Sequence, residues 1–258
     1  KRITLLPGET VRLRCLLGPG DAAQGARMRE KYDDATTDAA FAALQQHWSE
    51  KLDRLAVSTP DADMDTSLNL WNLYQSQVNV TFSRFASFIE VGGRTGLGYR
   101  DTAQDAMCIP HADPEMCRLR LTQLLRGQVS AGYGLHLFDP AWFEEESACD
   151  EKQTSPTVIP TAGSARIHGV KDACADDALW LIPAIAEYVR ETGELDFLRL
   201  SVPFADAGEA SVYGHMKRAL DFSFEQIGAH GVCKGLRADW NDCLNLGGGE
   251  SAMVAFLL

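Results

Sequence analysis

The sequence has no excess of positive charge and no long apolar run. Lysine and arginine total 24 against 36 aspartate and glutamate residues, which gives a net charge of −12. Nucleic acids and anionic membrane surfaces repel such a chain, so neither is expected as a partner. No apolar stretch approaches the roughly 18 to 20 residues that a bilayer-spanning helix needs. The sequence therefore predicts neither a nucleic-acid-binding protein nor a membrane protein.

Paired cysteines are also lacking. The seven cysteines are odd in number, are scattered along the chain and show no CxxC spacing. This pattern favours a reducing compartment over a disulfide framework, and a cytoplasmic location is expected. An initiator methionine is absent as well, since the chain begins Lys1-Arg2-Ile3 and ends inside an apolar run. We therefore expect an internal piece of a longer protein.

What the chain does contain is a change of hydrophobic period near residue 36. Before it, residues 3–6 and 11–15 are β-prone and flank the turn residues Pro7 and Gly8, which predicts two strands. Two strands cannot bury a core alone, so we expect them to complete a β domain. After residue 36, apolar side chains recur every three or four positions, as on one face of a helix. Helices are predicted around residues 41–55, 70–89, 116–124, 179–189 and 213–227.

The segments between these helices are predicted to be loops that carry the chemistry. They are rich in Gly, Asp, Arg and Trp, and residues 144–165 have the composition of a long polar loop. No convincing strand pair is expected after residue 36. This pattern is typical of an all-α array, so the predicted fold class is mainly α.

Two motifs resemble metal sites but lack residues that such sites require. Residues 61–65 have the Asp-x-Asp-x-Asp pattern of a calcium loop, but the glycine and the glutamate that such a loop requires are absent. A helix N-terminal cap explains these aspartates better. Residues 108–117 contain two cysteines and a histidine without a sensibly spaced fourth zinc ligand. The sequence therefore predicts no metal and no cofactor.

The first segment with chemical character surrounds two arginines at consecutive helix ends. Arg84 lies within the long predicted helix near its end, and Arg100 and Asp101 lie at the start of the next helix. Adjacent Arg and Asp side chains suit planar, bidentate contact with vicinal hydroxyls. The alternative is a salt bridge combined with helix caps.

The second such segment places two carboxylates beside a tryptophan. Asp239 and Asp242 flank Trp240 in a loop after a predicted helix. The indole offers an apolar face to a pyranose ring and excludes water, which can raise the pKa of a neighbouring carboxyl toward that of a general acid. A second carboxylate nearby acts in the same direction. The alternative is an Asx turn with a helix cap.

Together these segments resemble the disaccharide phosphorylases of glycoside hydrolase family 94. The resemblance is dense from Leu68 to Val254. The sequences of its motifs are most similar to those of the branch that cleaves chitobiose. The motifs that carry it are Asn69-Leu-Trp-Asn-Leu-Tyr-Gln75, Ser83-Arg-Phe-Ala-Ser87, Gly98-Tyr-Arg-Asp-Thr-Ala-Gln-Asp105, Leu135-His-Leu-Phe-Asp-Pro140, Asp176-Asp-Ala-Leu-Trp-Leu181 and Ala238-Asp-Trp-Asn-Asp-Cys-Leu-Asn245. The resemblance implies that residues 1–20 end an N-terminal β-sandwich, that 21–60 form a helical linker, and that 61–258 form the first half of an (α/α)6 barrel.

The resemblance also implies an activity, the inverting phosphorolysis of a β-linked disaccharide of chitobiose or cellobiose type. Phosphate is then the nucleophile and co-substrate, no other cofactor is needed, and one protein carboxyl suffices for proton transfer. That general acid is implied to be Asp242, with Asp239 as a structural partner. The implied substrate-binding residues are Arg84, Arg100, Asp101, Trp240, Asp176 and Asp177. Because the family's phosphate site draws on residues beyond Leu258, the isolated chain is expected to be inactive, and the full-length protein to be a possible homodimer.

Other functions remain open at this point. An inverting glycoside hydrolase on the same barrel would use a second carboxylate to activate water. A phosphorylase-like domain of a cyclic β-glucan synthase would carry the same motifs. A non-catalytic carbohydrate-binding module is disfavoured by the acidic residue kept within Ala238-Asp-Trp-Asn-Asp242. The sequence does not distinguish a glucose from an N-acetylglucosamine donor.

Overall fold

The computed structural model describes residues 2–18, 20–82, 96–143 and 169–258. These residues fall into two compact units, one that extends to His47 and one that begins at Trp48. The predicted site residue Arg84 and the polar stretch 144–165 lie outside the described residues, as does the end of the helix predicted over 70–89. No helix among the described residues is long and apolar enough to span a bilayer.

The first unit begins with a segment without regular secondary structure instead of the two predicted strands. Pro7 and Gly8 form the expected turn, which is closed by a 3.0 Å hydrogen bond from Glu9 N to Leu6 O. Residues 3–6 and 11–15, however, are not strands, so this prediction is wrong for the described chain. Their apolar side chains are exposed, and no described strand lies beside them to supply backbone partners. Helices α1 (Ala22–Lys31) and α2 (Asp34–Leu52) follow.

The second unit is mainly helical, as predicted. Helices near 41–55, 116–124, 179–189 and 213–227 are confirmed, and the helix over 70–89 is confirmed as far as Phe82. The helices are α3 (Ala62–Thr66), a π-helical turn (Ser67–Asn72), α4 (Leu73–Phe82), α5 (Tyr99–Ala106), α6 (Pro114–Arg126), α7 (Asp177–Thr192), α8 (Val212–Glu225) and α9 (Ala252–Leu257). Short 3₁₀ turns occupy Pro140–Phe143, Val170–Asp172 and Leu195–Arg199.

The helix ends follow local sequence signals. The Asp61 side chain accepts hydrogen bonds from the backbone N–H groups of Asp63 and Met64, which confirms a cap in place of a calcium loop. Asp113 caps α6 in the same way, with Pro114 at its first position. Gly193 ends α7 in the left-handed conformation, at a φ of 72°.

The expectation of no strand pair after residue 36 is wrong. Three antiparallel pairs of two to four residues per strand occur in the described residues. They join β1 (Leu97–Gly98) to β2 (Leu137–Phe138), β3 (Ser201–Pro203) to β4 (Glu209–Ser211), and β5 (Lys234–Leu236) to β6 (Gly247–Glu250). Strands this short contain too few residues to show an alternating pattern, and they are connectors between helices.

The core lies where α5, α6 and α7 pack on one another. Tyr99, Leu121, Leu181 and Ile185 are fully buried there. Burying each aliphatic side chain of this size contributes roughly 1.5–3 kcal/mol, so the three helices hold each other firmly. The packing fixes the first turn of α5 beside the first turn of α7, which is where the candidate site is built.

Candidate functional site

Arg100, in the first turn of α5, is the centre of the site. Its side chain is buried, and its three guanidinium nitrogens each lie near a different carboxylate. Nε is 3.2 Å from Asp177 Oδ1, Nη1 is 2.9 Å from Asp242 Oδ1, and Nη2 is 3.0 Å from Asp176 Oδ1. Nη1 also donates to the Trp240 carbonyl at 2.8 Å. Burial lowers the pKa of Arg100, but the charges of Asp177, Asp176 and Asp242 outweigh it and raise the pKa above its usual value.

Two aspartates at the start of α7 form the buried floor of the site. Asp176 and Asp177 have no exposed surface. Asp176 accepts a 3.0 Å hydrogen bond from Trp180 Nε1, while its contact with Arg100 has the distance of an ion pair but not the angles of a hydrogen bond. Burial and the neighbouring Asp177 raise the pKa of Asp176 to about 6, and the charge of Arg100 opposes that rise. These carboxylates therefore act on Arg100 and cannot be reached by a large ligand.

His136 is a further member that the sequence did not single out. The backbone N–H of Tyr99 donates to the His136 carbonyl at 3.0 Å, which places His136 beside the start of α5. Its Nδ1 lies 3.1 Å from Asp177 Oδ2, and its Nε2 lies 4.0 Å from Asp242 Oδ2. Hydrogen bonds with Asp177 and Cys174 raise the pKa of His136 to about 10, even though burial opposes this. The ring is therefore charged at neutral pH.

Cys174 is brought to the site by short backbone pairings. Ala175 N donates to Ala238 O at 2.8 Å, and Arg237 N donates to Ala173 O at 3.1 Å. These bonds hold the chain around the buried Cys174 against the chain that leads into the 239–242 loop. Sequence reasoning missed both His136 and Cys174. The only available signal was that His136 lies inside one of the family motifs and Cys174 just before another.

The loop after β5 directs its two carboxylates differently. Asp239 is turned inward, where it accepts hydrogen bonds from Asn241 N at 2.9 Å and from the Ser251 hydroxyl at 2.7 Å. Ser251 in turn caps α9. The Asp242 side chain is 60% exposed, and Trp240 is 55% exposed. The Asx-turn interpretation thus describes Asp239, while Asp242 and Trp240 are accessible to a ligand.

The surroundings of Asp242 differ from the sequence expectation. Trp240 and Asp239 were expected to border this carboxyl, whereas its contacts in the described residues are with Arg100 and His136. The reason is that spacing in a turn does not reveal side-chain direction: Asp239 points to Ser251, and the Trp240 backbone, not its ring, meets Arg100.

The predicted site residues are thus only partly assembled in one place. The structure brings Arg100, Asp176, Asp177, Trp240 and Asp242 together. The next residue along α5, Asp101, lies close to Gly98, where a Cβ would come within 2.7 Å of the Asp101 Oδ2 atom. A side chain at position 98 would therefore have to displace the Asp101 carboxylate.

The arrangement can perform two kinds of chemistry. The exposed carboxyl of Asp242, in the same loop as the exposed Trp240, can exchange a proton with a bound sugar. In addition, one ligand atom from each of His136, Cys174 and Asp242 lies within 4.8 Å of the others, so these side chains could hold a metal ion. No other residue set of this kind was found among the described residues.

Comparison with known proteins adds the following. The model of the "Glycosyl hydrolase 94 superfamily, catalytic domain" matches residues 47–258. An N,N'-diacetylchitobiose phosphorylase of Vibrio proteolyticus is 61% identical over 259 aligned positions, covering all of this chain and 32% of that protein. The protein of the same name from Vibrio furnissii is 58% identical with the same coverage. A cyclic beta-(1,2)-glucan synthase of Rhizobium meliloti is 28% identical over 91% of this chain and 8% of its own length. The chain thus spans about a third of the length of the two phosphorylases.

Proposed function

Because the chain belongs to the glycosyl hydrolase 94 superfamily, we propose that it carries the proton-donating part of an inverting disaccharide phosphorylase that acts on a chitobiose-type substrate. The observation that carries the proposal is the exposed Asp242 carboxyl, which Arg100 Nη1 holds while it also binds the backbone carbonyl of the exposed Trp240. The substrate class is supported by the far higher identity to chitobiose phosphorylases than to the glucan synthase.

The proposed reaction needs one acid from the protein. Phosphate attacks the anomeric carbon from the face opposite the leaving sugar, and Asp242 gives a proton to the glycosidic oxygen. Arg100 Nη1 holds Oδ1 of Asp242 at 2.9 Å, which leaves Oδ2 to carry that proton. The positive charges of Arg100 and His136 then stabilise the carboxylate that remains. In the reverse direction the same carboxylate accepts the proton of the acceptor hydroxyl.

The remaining residues divide between binding and positioning. The exposed Trp240 ring is the proposed platform for the sugar, and Asp101 and Arg84 are proposed to contact its hydroxyls, as the resemblance implies. The resemblance implies that Arg100 lines this donor-sugar subsite, but its contacts in the described residues are with three carboxylates and the Trp240 carbonyl, so its main proposed task is to hold Asp242. Asp176 and Asp177 are buried, so we assign them to holding Arg100 and, for Asp177, His136 as well.

Further parts of the proposal rest on the sequence. The first half of an (α/α)6 barrel over residues 61–258, the helical linker over 21–60 and a β-sandwich ending near residue 20 stay predictions. So do a cytoplasmic location and a homodimer. Phosphate is proposed as co-substrate with no other cofactor, and its binding residues are proposed to lie beyond Leu258.

The test is the dependence of cleavage on phosphate. The whole protein that contains this chain is incubated with chitobiose or cellobiose, with and without inorganic phosphate, and sugar 1-phosphate and free sugar are measured. Formation of N-acetylglucosamine 1-phosphate only when phosphate is present would support the proposal. Equal release of free sugars without phosphate would instead establish a hydrolase.

A further inference from the structure

We propose that His136, Cys174 and Asp242 bind a single transition-metal cation of the zinc class. The candidate ligand atoms lie within 4.8 Å of one another, and Nε2 of His136 is 4.0 Å from Oδ2 of Asp242. A nitrogen, a sulfur and a carboxylate oxygen are the three donor types that zinc uses in proteins. This assignment concerns metal binding and does not depend on the phosphorylase activity.

The histidine is already oriented as a metal-binding histidine is. Its Nδ1 is engaged by Asp177 Oδ2 at 3.1 Å, which leaves Nε2 directed toward Cys174 and Asp242. Zinc-bound histidines characteristically present one nitrogen to the metal and the other to such a carboxylate. Asp177 is itself fixed by Arg100 Nε at 3.2 Å. The negative charges of Asp177 and Asp242 favour a proton on the His136 ring, and they equally favour a metal cation at Nε2. The metal must displace the Nε2 proton in order to bind.

The distances can be closed by turning the Oδ2 side of the most exposed ligand, Asp242, toward the other two. Bond lengths of about 2.0 Å to nitrogen and 2.3 Å to sulfur in a tetrahedral site place ligand atoms about 3.5 Å apart. The cluster therefore has to contract by roughly 1 Å. Asp242 can supply this movement because its side chain is 60% exposed, while Cys174 and His136 are held by packing and hydrogen bonds. Since Arg100 holds Oδ1, the metal takes Oδ2, and the open side of the loop leaves a fourth position for water.

A bound cation would occupy the oxygen that we propose as the proton carrier. Zinc should therefore inhibit phosphorolysis in proportion to its occupancy of the site. This consequence rests on the proposed function, whereas the binding does not, so the two can fail separately.

The test is a titration of the whole protein with Co²⁺ under reducing, chelator-free conditions. Cobalt bound to a thiolate gives a near-ultraviolet charge-transfer band, which reports sulfur ligation directly. We expect the band to saturate at a single metal ion per chain, to vanish in Cys174→Ser and to persist in the control Cys243→Ser. Cys243 is an exposed thiol in the same loop as Asp242. Asp177→Asn should weaken the affinity by about 10- to 100-fold, since it removes the group that orients His136.

Several outcomes would overturn the site. These are no charge-transfer band in the unmodified protein, a band retained in Cys174→Ser, or a band lost in Cys243→Ser. Because Cys174 is buried, the Cys174→Ser variant is compared with the unmodified protein by thermal unfolding. His136→Gln serves as a second variant, which should bind Co²⁺ at least tenfold more weakly. Cobalt binding without inhibition of phosphorolysis by Zn²⁺ would uphold the metal site and contradict the role of Asp242.

Discussion

The site has a buried half and an exposed half, and they differ in what their side chains contact. Arg100, Asp176 and Asp177 are almost fully buried, and Arg100 forms ion pairs with both aspartates. Asp242 and Trp240 are more than half exposed and are attached to the buried half through Arg100. Buried charges that lose a partner cost several kcal/mol, whereas exposed ones cost little. The buried half is thus suited to hold geometry and the exposed half to react.

The largest effect should come from the exposed half, with Asp242→Asn. The amide cannot donate a proton as an acid does, so phosphorolysis should fall by about 10² to 10⁴-fold. The amide has nearly the same shape, and the carboxyl is 60% exposed, so stability and sugar binding should change little. The measurement is kcat in both directions together with thermal unfolding.

The matched control for that variant is Asp239→Asn, three residues away. Asp239 is turned toward Ser251 and Asn241, so its amide should reduce stability slightly and activity much less than Asp242→Asn. An inactive Asp239→Asn beside an active Asp242→Asn would show that the acid has been assigned to the wrong carboxylate.

The next effect should come from the buried half, with Arg100→Lys. Lysine keeps the charge but cannot meet three carboxylates in one plane, so Asp242 should lose its fixed position. Misplacement of a reacting group by about 1 Å costs on the order of 10²-fold in rate. Unlike Asp242→Asn, this variant should also lower the free energy of unfolding, as measured by denaturant titration. Full activity of Arg100→Lys would show that Arg100 forms only structural salt bridges.

The helices could be predicted from sequence because their signals are local. The apolar spacing along α7 and α8, the Asp113-Pro114 start of α6 and the Gly193 stop of α7 each lie within a few residues of what they determine. The short strand pairs could not be predicted, because two to four residues cannot show a period and their partners lie far along the chain.

The candidate site was predictable only in composition. Arg100, Trp240 and Asp242 could be singled out because their residue types and spacing are unusual, and because of the family resemblance. Their contacts could not, since Arg100 meets Asp242 across 142 positions of sequence. His136 was overlooked because a histidine next to a short strand carries no sign that Asp177, 41 residues on, will orient it.

A smaller effect should appear in the pH dependence of stability. The raised pKa of His136, about 10, belongs to a ring whose unfolded value is near 6.5. Its contribution to stability is therefore complete below about pH 6.5 and is lost as the pH rises toward 10. At about 1.36 kcal/mol per pKa unit, the free energy of unfolding should fall by up to about 5 kcal/mol over that interval. His136→Gln should flatten this decline, and the control His111→Gln should not. A decline of equal size in His136→Gln would mean that other groups cause it.

The smallest effect should come from Trp240→Ala, which removes only the proposed sugar platform. Contacts of aromatic rings beyond simple burial contribute about 0.5–1.5 kcal/mol, which corresponds to about a two- to tenfold rise in KM. Trp240 is 55% exposed, and its backbone carbonyl, which Arg100 binds, is unchanged by the substitution, so kcat and stability should stay close to those of the unmodified protein. Tyr213→Ala, at a 62% exposed position in the first turn of α8, is the control and should leave KM unchanged. A fall in kcat with unchanged KM would show that the Trp240 ring positions Asp242 and does not bind the sugar. Within the exposed half, Asp242 as the reacting residue could then no longer be separated from Trp240 as the binding residue.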